Sequence, residues 1–256
     1  MTNSIKLTLK YFLLVVLVSL PFFVLGAFIG SIKGLLVKLP ISALMFICPA
    51  FALLLFDKAS FKENFVNIFD FKKINNVVWV LAAILLLPVL MFSTFLVMKF
   101  AGVFLPGFEL NLSDTVILFT LFFIASALEE LGWTGYLTRQ LLTNTTILKT
   151  GIFIGLLWAT WHIIPYFQNE KSFSWIFWQC VSTILLRILM VWLFVSSGTS
   201  LFLVILFHTM INMVEFLFPD MGSHYDPFYF SIVLLPFTVT ILFLTNKKHK
   251  ALSCRI

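Results

Sequence analysis

Two adjacent carboxylates, Glu129 and Glu130, directly follow an apolar run from Thr115 to Leu128. A carboxylate at the centre of a bilayer costs about 2.5–3.5 kcal/mol on insertion scales, so such residues usually face partners inside a helix bundle. Consecutive helical side chains point about 100° apart, so we expect one of the two to face a shared polar site. The pair therefore predicts a functional site within the apolar part of the chain.

Other apolar segments carry polar side chains that could meet this pair. His208 and Asn212 are four residues apart, so they project from one face of a helix, and Trp158 and His162 have the same spacing. Arg187 lies inside a further apolar segment. A carboxylate pair, two histidines, an amide and an arginine together favour a chemical site.

The expected depths of these side chains agree with one another. At about 1.5 Å of rise per residue from Arg139, Lys149 and Gly198, Glu129 and His208 lie about 15 Å deep and His162 about 20 Å deep. All three can meet near the middle of a hydrocarbon layer about 30 Å thick. The structural alternative is that they only cross-link helices, for roughly 1 kcal/mol each.

The composition defines the elements that must position these residues. The chain has 256 residues, is 61% hydrophobic and only 11% charged, whereas soluble domains are about 45–50% apolar and about 25% charged. These values predict an all-α, polytopic membrane protein. The net charge of +6 does not indicate a nucleic-acid partner, because the basic residues lie at the ends of segments.

Apolar runs of membrane-spanning length predict about eight transmembrane helices in one domain, residues 1–256. The predicted spans are Tyr11–Gly30, Leu35–Phe56, Val77–Met98, Thr115–Leu137, Ile147–Phe167, Trp175–Val195, Ser200–Phe218 and Phe228–Thr245. A loop containing Pro106, Gly107, Glu109 and Asp114 is expected between the third and fourth spans.

Between the second and third spans, Phe61, Phe65, Ile68 and Phe69 have helical spacing. They predict an amphipathic helix on the membrane surface. A polar loop with isolated aromatic residues is the alternative.

The basic residues predict the orientation. Of the 17 Lys and Arg residues, four fall on one side of the eight spans (Lys33, Lys38, Lys99 and Lys171), Arg187 lies within a span, and the other 12 fall on the side of both termini. Because basic loops stay in the cytoplasm, we expect both termini to be cytoplasmic.

The ordered polar motifs resemble the CAAX protease and bacteriocin-processing (CPBP) family of intramembrane proteases, also named Abi. That family carries Glu-Glu-x-x-x-Arg, then Phe-x-x-x-His, then His-x-x-x-Asn or Asp. The corresponding residues here are Glu129-Glu130 with Thr134, Trp158 with His162, and His208 with Asn212. The likeness covers about residues 115–218.

Two positions depart from the family pattern. Thr134 occupies the place of the motif's arginine, and Trp158 replaces phenylalanine. The lost arginine removes the expected partner of Glu130, four residues away on the same helix. We hypothesise that Arg187 supplies this charge from another span, so that Arg187, Thr134 and Trp158 support the site.

The resemblance implies peptide hydrolysis by Glu129, Glu130, His162, His208 and Asn212. In one scheme Glu129 and His162 activate water, while His208 and Asn212 stabilise the oxyanion. In the other, Glu129, His162 and His208 bind Zn²⁺, which carries the water. The sequence leaves both schemes open, because the same residue types serve each.

The implied partners are the lipid bilayer and a peptide or protein substrate at the membrane, either prenylated or of the leader type. The expected location is a bacterial plasma membrane. Two other classes also place ionisable groups in a membrane: an ion-coupled transporter, and a non-catalytic immunity or regulatory protein, as in bacteriocin immunity. A transporter would more often contain inverted repeats and broken helices, which the sequence lacks. A non-catalytic relative would be expected to lose a motif residue.

Overall fold

The computed structural model describes residues 3–29, 31–32, 39–108 and 111–253. Within these ranges the chain is a bundle of helices, with one antiparallel pair of two-residue strands, β1 (Ser31–Ile32) and β2 (Leu39–Pro40). The helices are α1 (Asn3–Ile29), α2 (Cys48–Phe56), α3 (Lys58–Ile68), α4 (Val77–Phe100), α5 (Leu112–Gly132), α6 (Arg139–Leu142), α7 (Ile147–Gln168), α8 (Phe173–Ser196), α9 (Leu201–Leu217) and α10 (Pro227–Ser253). The all-α polytopic prediction is confirmed.

All eight predicted spans correspond to apolar helices, but two of these helices are short. Six helices within the described ranges are long and apolar enough to cross a membrane, whereas Ile41–Phe56 and Leu201–Leu217 are shorter. The second span was predicted to begin at Leu35, but the described helix begins with a 3₁₀ turn, Ile41–Ile47, that continues into α2. Residues 33–38 lie outside the described part. Asp114, predicted in a loop, belongs to the first turn of α5.

The predicted surface helix corresponds to α3. Phe65 and Phe69 are exposed, with ring centroids 6.1 Å apart, and Phe65 also stacks on Phe61. Ile68 was predicted to share the face of these rings, but it is instead buried, as is Asn64, on the inward side of the helix. A Cβ added at Gly135 would lie 2.9 Å from Asn64 Cγ, so α3 contacts the segment that follows the two carboxylates.

The segment after α5 is a π-helical turn, Trp133–Thr138, which leads into α6. The Thr138 hydroxyl donates to the Trp133 carbonyl, five residues earlier, at 2.9 Å. Wide turns of this type are rare and frequently occur at functional sites. A Cβ added at Gly132 would lie 2.1 Å from the Tyr11 hydroxyl oxygen, so only glycine allows α1 to contact α5 this closely.

Helix α8 is the most buried of the long helices, and α7 packs closely against it. In α8, 72% of the most apolar 18-residue stretch is buried inside the bundle. The corresponding share is 22–39% in the other five long helices. A Cβ added at Gly151 would lie 2.7 Å from Ile188 Cα, and one at Gly155 would lie 2.9 Å from Ile184 Cα. Small residues four apart allow helix backbones to approach closely. This contact brings His162 of α7 and Arg187 of α8 into one region.

Candidate active site

Glu130 is completely buried, and three side chains hold it. Arg187 Nη1 donates to Oε2 at 2.8 Å, and His208 Nδ1 lies 2.9 Å from Oε1. The Thr134 hydroxyl also donates to Oε2. The contact hypothesised between Arg187 and Glu130 is therefore present, with Arg187 on α8 in place of an arginine on α5. Because these partners occupy both oxygens, Glu130 is poorly placed to activate water.

Arg187 is itself buried and lies against an aromatic ring. Its Cζ is 4.0 Å from the ring centroid of Trp158, a distance typical of a cation–π interaction. Its Nε and Nη2 make no hydrogen bond within the described part of the chain. The ion pair and the ring contact therefore hold the guanidinium.

Glu129 has different surroundings, because its side chain points about 100° away from that of Glu130. Trp158 Nε1 donates to Glu129 Oε2 at 2.9 Å. Glu129 is 6% exposed and lines a cavity of about 500 Å³, whereas Glu130 does not line it. Glu129 is therefore the carboxylate of the pair that a molecule in the cavity could reach.

The two histidines have their Nδ1 atoms engaged. His162 Nδ1 lies 2.9 Å from the carbonyl oxygen of Trp158. Since a carbonyl only accepts, this nitrogen carries the hydrogen, and Nε2 of the neutral ring is an acceptor. His208 Nδ1 faces the carboxylate of Glu130, so the same assignment leaves its Nε2 free. Both residues line the cavity.

Asn212 lies one turn after His208 on α9 and lines the same cavity. Its Nδ2 donates to the Ser126 hydroxyl at 3.4 Å, which leaves a second amide hydrogen available. The five residues with predicted chemical roles thus lie in one region. Four of them line the cavity, whereas Glu130 is buried next to His208 and does not line it.

The predicted zinc ligands have suitable atoms, since carboxylate oxygens and imidazole nitrogens bind Zn²⁺. However, the part of the chain that the structure describes contains no group of three or more His, Cys, Asp or Glu side chains arranged to hold a metal ion. As positioned, Glu129, His162 and His208 do not form such a group. The zinc arrangement remains a prediction.

Two features of the site were missed by the sequence analysis. Trp158 was assigned a supporting role, yet it contacts Glu129, Arg187, His162 and His208. Glu215 also lines the cavity and was not singled out. Its position seven residues after His208, on the same helical face, was the available signal.

Comparisons with known proteins cover the part of the chain that carries these residues. Residues 111–214 match a family model described as type II CAAX prenyl endopeptidase Rce1-like. A CAAX prenyl protease 2 from Methanococcus maripaludis is 30% identical over 166 residues, which is 59% of this chain and 61% of that protein. The chain thus spans about three fifths of the length of this relative. These matches agree with the resemblance drawn from the motifs: residues 111–214 are similar to type II CAAX prenyl endopeptidases of the Rce1-like kind.

Proposed function

We propose that the chain is an intramembrane endopeptidase that hydrolyses a peptide bond of a membrane-associated substrate, with Glu129 as general base. The observation that carries the proposal is that the two carboxylates have different surroundings. Glu130 is engaged by Arg187, His208 and Thr134, whereas Glu129 lines the cavity together with His162. The match to the endopeptidase family model and the similarity to a prenyl protease support the same activity.

In the proposed first step, a water molecule binds between the Glu129 carboxylate and Nε2 of His162. Both groups accept hydrogen bonds, so they orient the water oxygen towards a peptide carbonyl carbon. Glu129 removes a proton as the carbon–oxygen bond forms. Trp158 Nε1, which donates to Oε2 at 2.9 Å, holds the carboxylate in place.

The negative charge that develops on the carbonyl oxygen requires hydrogen-bond donors. The second amide hydrogen of Asn212 can supply one donor. His208 can supply another from Nε2–H when both ring nitrogens carry hydrogen, with Nδ1–H donating to Glu130. The carbon–nitrogen bond then breaks, and Glu129 returns its proton to the leaving amine.

The residues that line the cavity favour an apolar substrate. Its lining is mostly aliphatic and aromatic, including Leu44, Phe46, Leu121, Phe122 and Ile211. Burial of apolar surface contributes roughly 25 cal/mol per Å², so apolar side chains or an isoprenyl tail would bind there. The relative's name specifies a prenyl protease, and we extend that substrate class to this chain as part of the proposal.

Zinc remains the rival means of activating water. Zinc would lower the pKa of a bound water and polarise the peptide carbonyl, and Glu129, His162 and His208 would be its ligands. If this arrangement forms, exhaustive chelation abolishes activity, and the zinc content falls in the His162→Ala and His208→Ala variants. Activity that survives chelation in a metal-free preparation would support the glutamate scheme.

The proposed function is tested with purified protein in lipid nanodiscs and matched prenylated and unprenylated peptides. We expect product fragments with wild type and none with Glu129→Gln, since the amide keeps the size of the side chain but cannot act as the base. Binding of peptides by wild type without any cleavage would contradict the proposal and favour the non-catalytic alternative.

A further inference from the structure

Glu215 is a carboxylate of the cavity that the proposed mechanism does not use. It lies on α9, where Gln179 Nε2 is 3.4 Å from both of its oxygens and the Tyr225 hydroxyl donates to Oε1 at 3.2 Å. Two donor groups therefore contact this carboxylate, and the single hydrogen of the Tyr225 hydroxyl is shared between Glu215 Oε1 and Gln179 Oε1. The donors themselves are neutral, so they orient the carboxylate without neutralising it.

The orientation of Glu215 is fixed by a second layer of contacts. The Tyr225 hydroxyl also lies 3.0 Å from Gln179 Oε1, and both side chains are buried. Gln179 therefore contacts Glu215 through its amide nitrogen and Tyr225 through its amide oxygen. This arrangement is a preformed polar end in a cavity that is otherwise mostly apolar.

No basic side chain pairs with Glu215 within the described part of the chain. The ion pairs there involve other acidic groups, and the cavity lining contains neither Lys nor Arg. Glu130, by contrast, has Arg187 at 2.8 Å. Removing a charge from water is costly unless a partner compensates it. A cation within the cavity would supply that compensation.

The adjoining cavity has the same charge character. It has a volume of about 940 Å³ and shares Leu118 with the first cavity. Asp114 and Asp220 line it, again without Lys or Arg among the described lining residues. A cationic group in either cavity would meet carboxylates and no Lys or Arg side chain, since the basic residues among the described lining are the histidines His162, His208 and His224.

The helix fixes the spacing between Glu215 and the proposed reaction centre. Seven residues from His208 correspond to a rise of about 10.5 Å and a rotation only about 20° short of two turns, so the two side chains share a face. An extended peptide advances about 3.3 Å per residue. Glu215 therefore lies about three peptide residues from a bond held at His208.

We infer that Glu215 forms a subsite for a cationic group of the substrate, about three residues from the cleaved bond. The cation is either a Lys or Arg side chain or a free peptide amino terminus, since both offer an N–H donor with positive charge. Glu215 would then determine specificity through this ion pair, while Glu129 performs the chemistry. The inference rests on the proposed function, because it places this subsite along a bound peptide.

The test uses internally quenched apolar peptides in which a single Lys, or its uncharged analogue norleucine, occupies each position around the cleaved bond. At one position we expect Lys to raise kcat/KM at least about tenfold over norleucine, as a hydrogen bond to a charged group would. In Glu215→Gln this ratio falls to about one. An acetylated amino terminus in a parallel set distinguishes a terminal amine from a side chain.

Glu63→Gln is the matched control, because the Glu63 side chain is 70% exposed on α3 and lines neither cavity. It makes the same chemical change and should keep the wild-type Lys-to-norleucine ratio. The inference is overturned if no Lys position is preferred, or if Glu215→Gln lowers cleavage of both peptides equally and leaves the ratio unchanged.

A binding measurement separates this inference from the proposed function. Fluorescent Lys and norleucine peptides are titrated into Glu129→Gln and into the double variant Glu129→Gln/Glu215→Gln. A preference for Lys that disappears in the double variant supports the cationic subsite even if wild type cleaves nothing, in which case the proposed function fails alone. Glu129-dependent cleavage without any charge preference in binding overturns the subsite alone.

Discussion

At the scale of single residues, Trp158 connects the parts of the site. Its indole nitrogen donates to Glu129, its carbonyl accepts from His162 Nδ1, and its ring lies under Arg187. A phenylalanine, which the motif of the resembled family carries at this position, could keep the ring contacts but could not donate to Glu129. The substitution of Trp for Phe thus adds one hydrogen bond to the carboxylate that faces the cavity.

Trp158→Phe tests the value of that hydrogen bond. A hydrogen bond to a charged group contributes about 1.5–3 kcal/mol, so we expect kcat to fall about 10- to 100-fold with a smaller change in KM. The control is Trp192→Phe, because Trp192 Nε1 donates to Thr245 and the residue does not line the cavity. Equal kcat values for wild type and Trp158→Phe would contradict a positioning role.

Arg187→Leu tests the buried ion pair. The change leaves the Glu130 charge without its guanidinium partner, which typically costs about 3–5 kcal/mol when the pair is buried. We expect thermal unfolding at a clearly lower temperature, and a partial recovery in Arg187→Leu/Glu130→Gln, where the stranded charge is also removed. If Arg187→Leu has the stability and activity of wild type, the pair has no structural role.

At the scale of elements, close helix contacts set the positions of these side chains. Gly151 and Gly155 allow α7 to approach α8, and Gly132 allows α1 to approach α5 just after the two carboxylates. The π-helical turn that follows changes the direction in which later side chains project, because it has more residues per turn than an α-helix. The site therefore depends on backbone spacing as well as on its polar residues.

Gly155→Leu tests the contact between α7 and α8. The new Cβ would lie 2.9 Å from Ile184 Cα and 3.4 Å from Arg187 Cβ, so α8 must shift. Overpacking of this kind costs about 1–3 kcal/mol, and we expect stability and activity to fall together. Gly107→Leu is the control, since no atom of the described residues lies within 4 Å of a Cβ there. Equal melting temperatures for both variants would contradict the close approach.

At the scale of the whole molecule, the unequal distribution of basic residues predicts that both termini are cytoplasmic. A reporter fused after Arg255 should therefore be cytoplasmic, and one inserted near Gly222, between α9 and α10, should be outside. Protease accessibility in intact cells and in inverted vesicles measures both positions. Detection of both reporters on one side would contradict the eight-span arrangement.

The sequence was sufficient to predict the properties that depend on a single helix. Apolar run lengths located the spans, and the angle of about 100° between successive side chains predicted that Glu129 and Glu130 face different ways. The contact of Arg187 with Glu130 followed from a charge that needed a partner. Each of these arguments uses only local spacing or charge compensation.

Other features depend on how helices rotate and approach one another, which periodicity does not specify. The contact between Tyr11 and Gly132 joins residues 121 positions apart, and nothing local indicates it. The π-helical turn at Trp133–Thr138 has no signature in the apolar pattern. Glu215 could have been found from its spacing to His208, but its engagement by Gln179 and Tyr225 required the positions of α8 and of the segment that precedes α10.

The central claim is that Glu129 is the general base, whereas Glu130 stabilises the fold through its buried ion pair. Turnover and thermal unfolding of purified Glu129→Gln and Glu130→Gln, measured side by side with wild type, test it most directly. We predict that Glu129→Gln lowers turnover at least about 100-fold, as loss of a general base does, and melts like wild type. Glu130→Gln should melt at a lower temperature, because it strands Arg187. An active Glu129→Gln protein beside a stable but inactive Glu130→Gln protein would contradict the account.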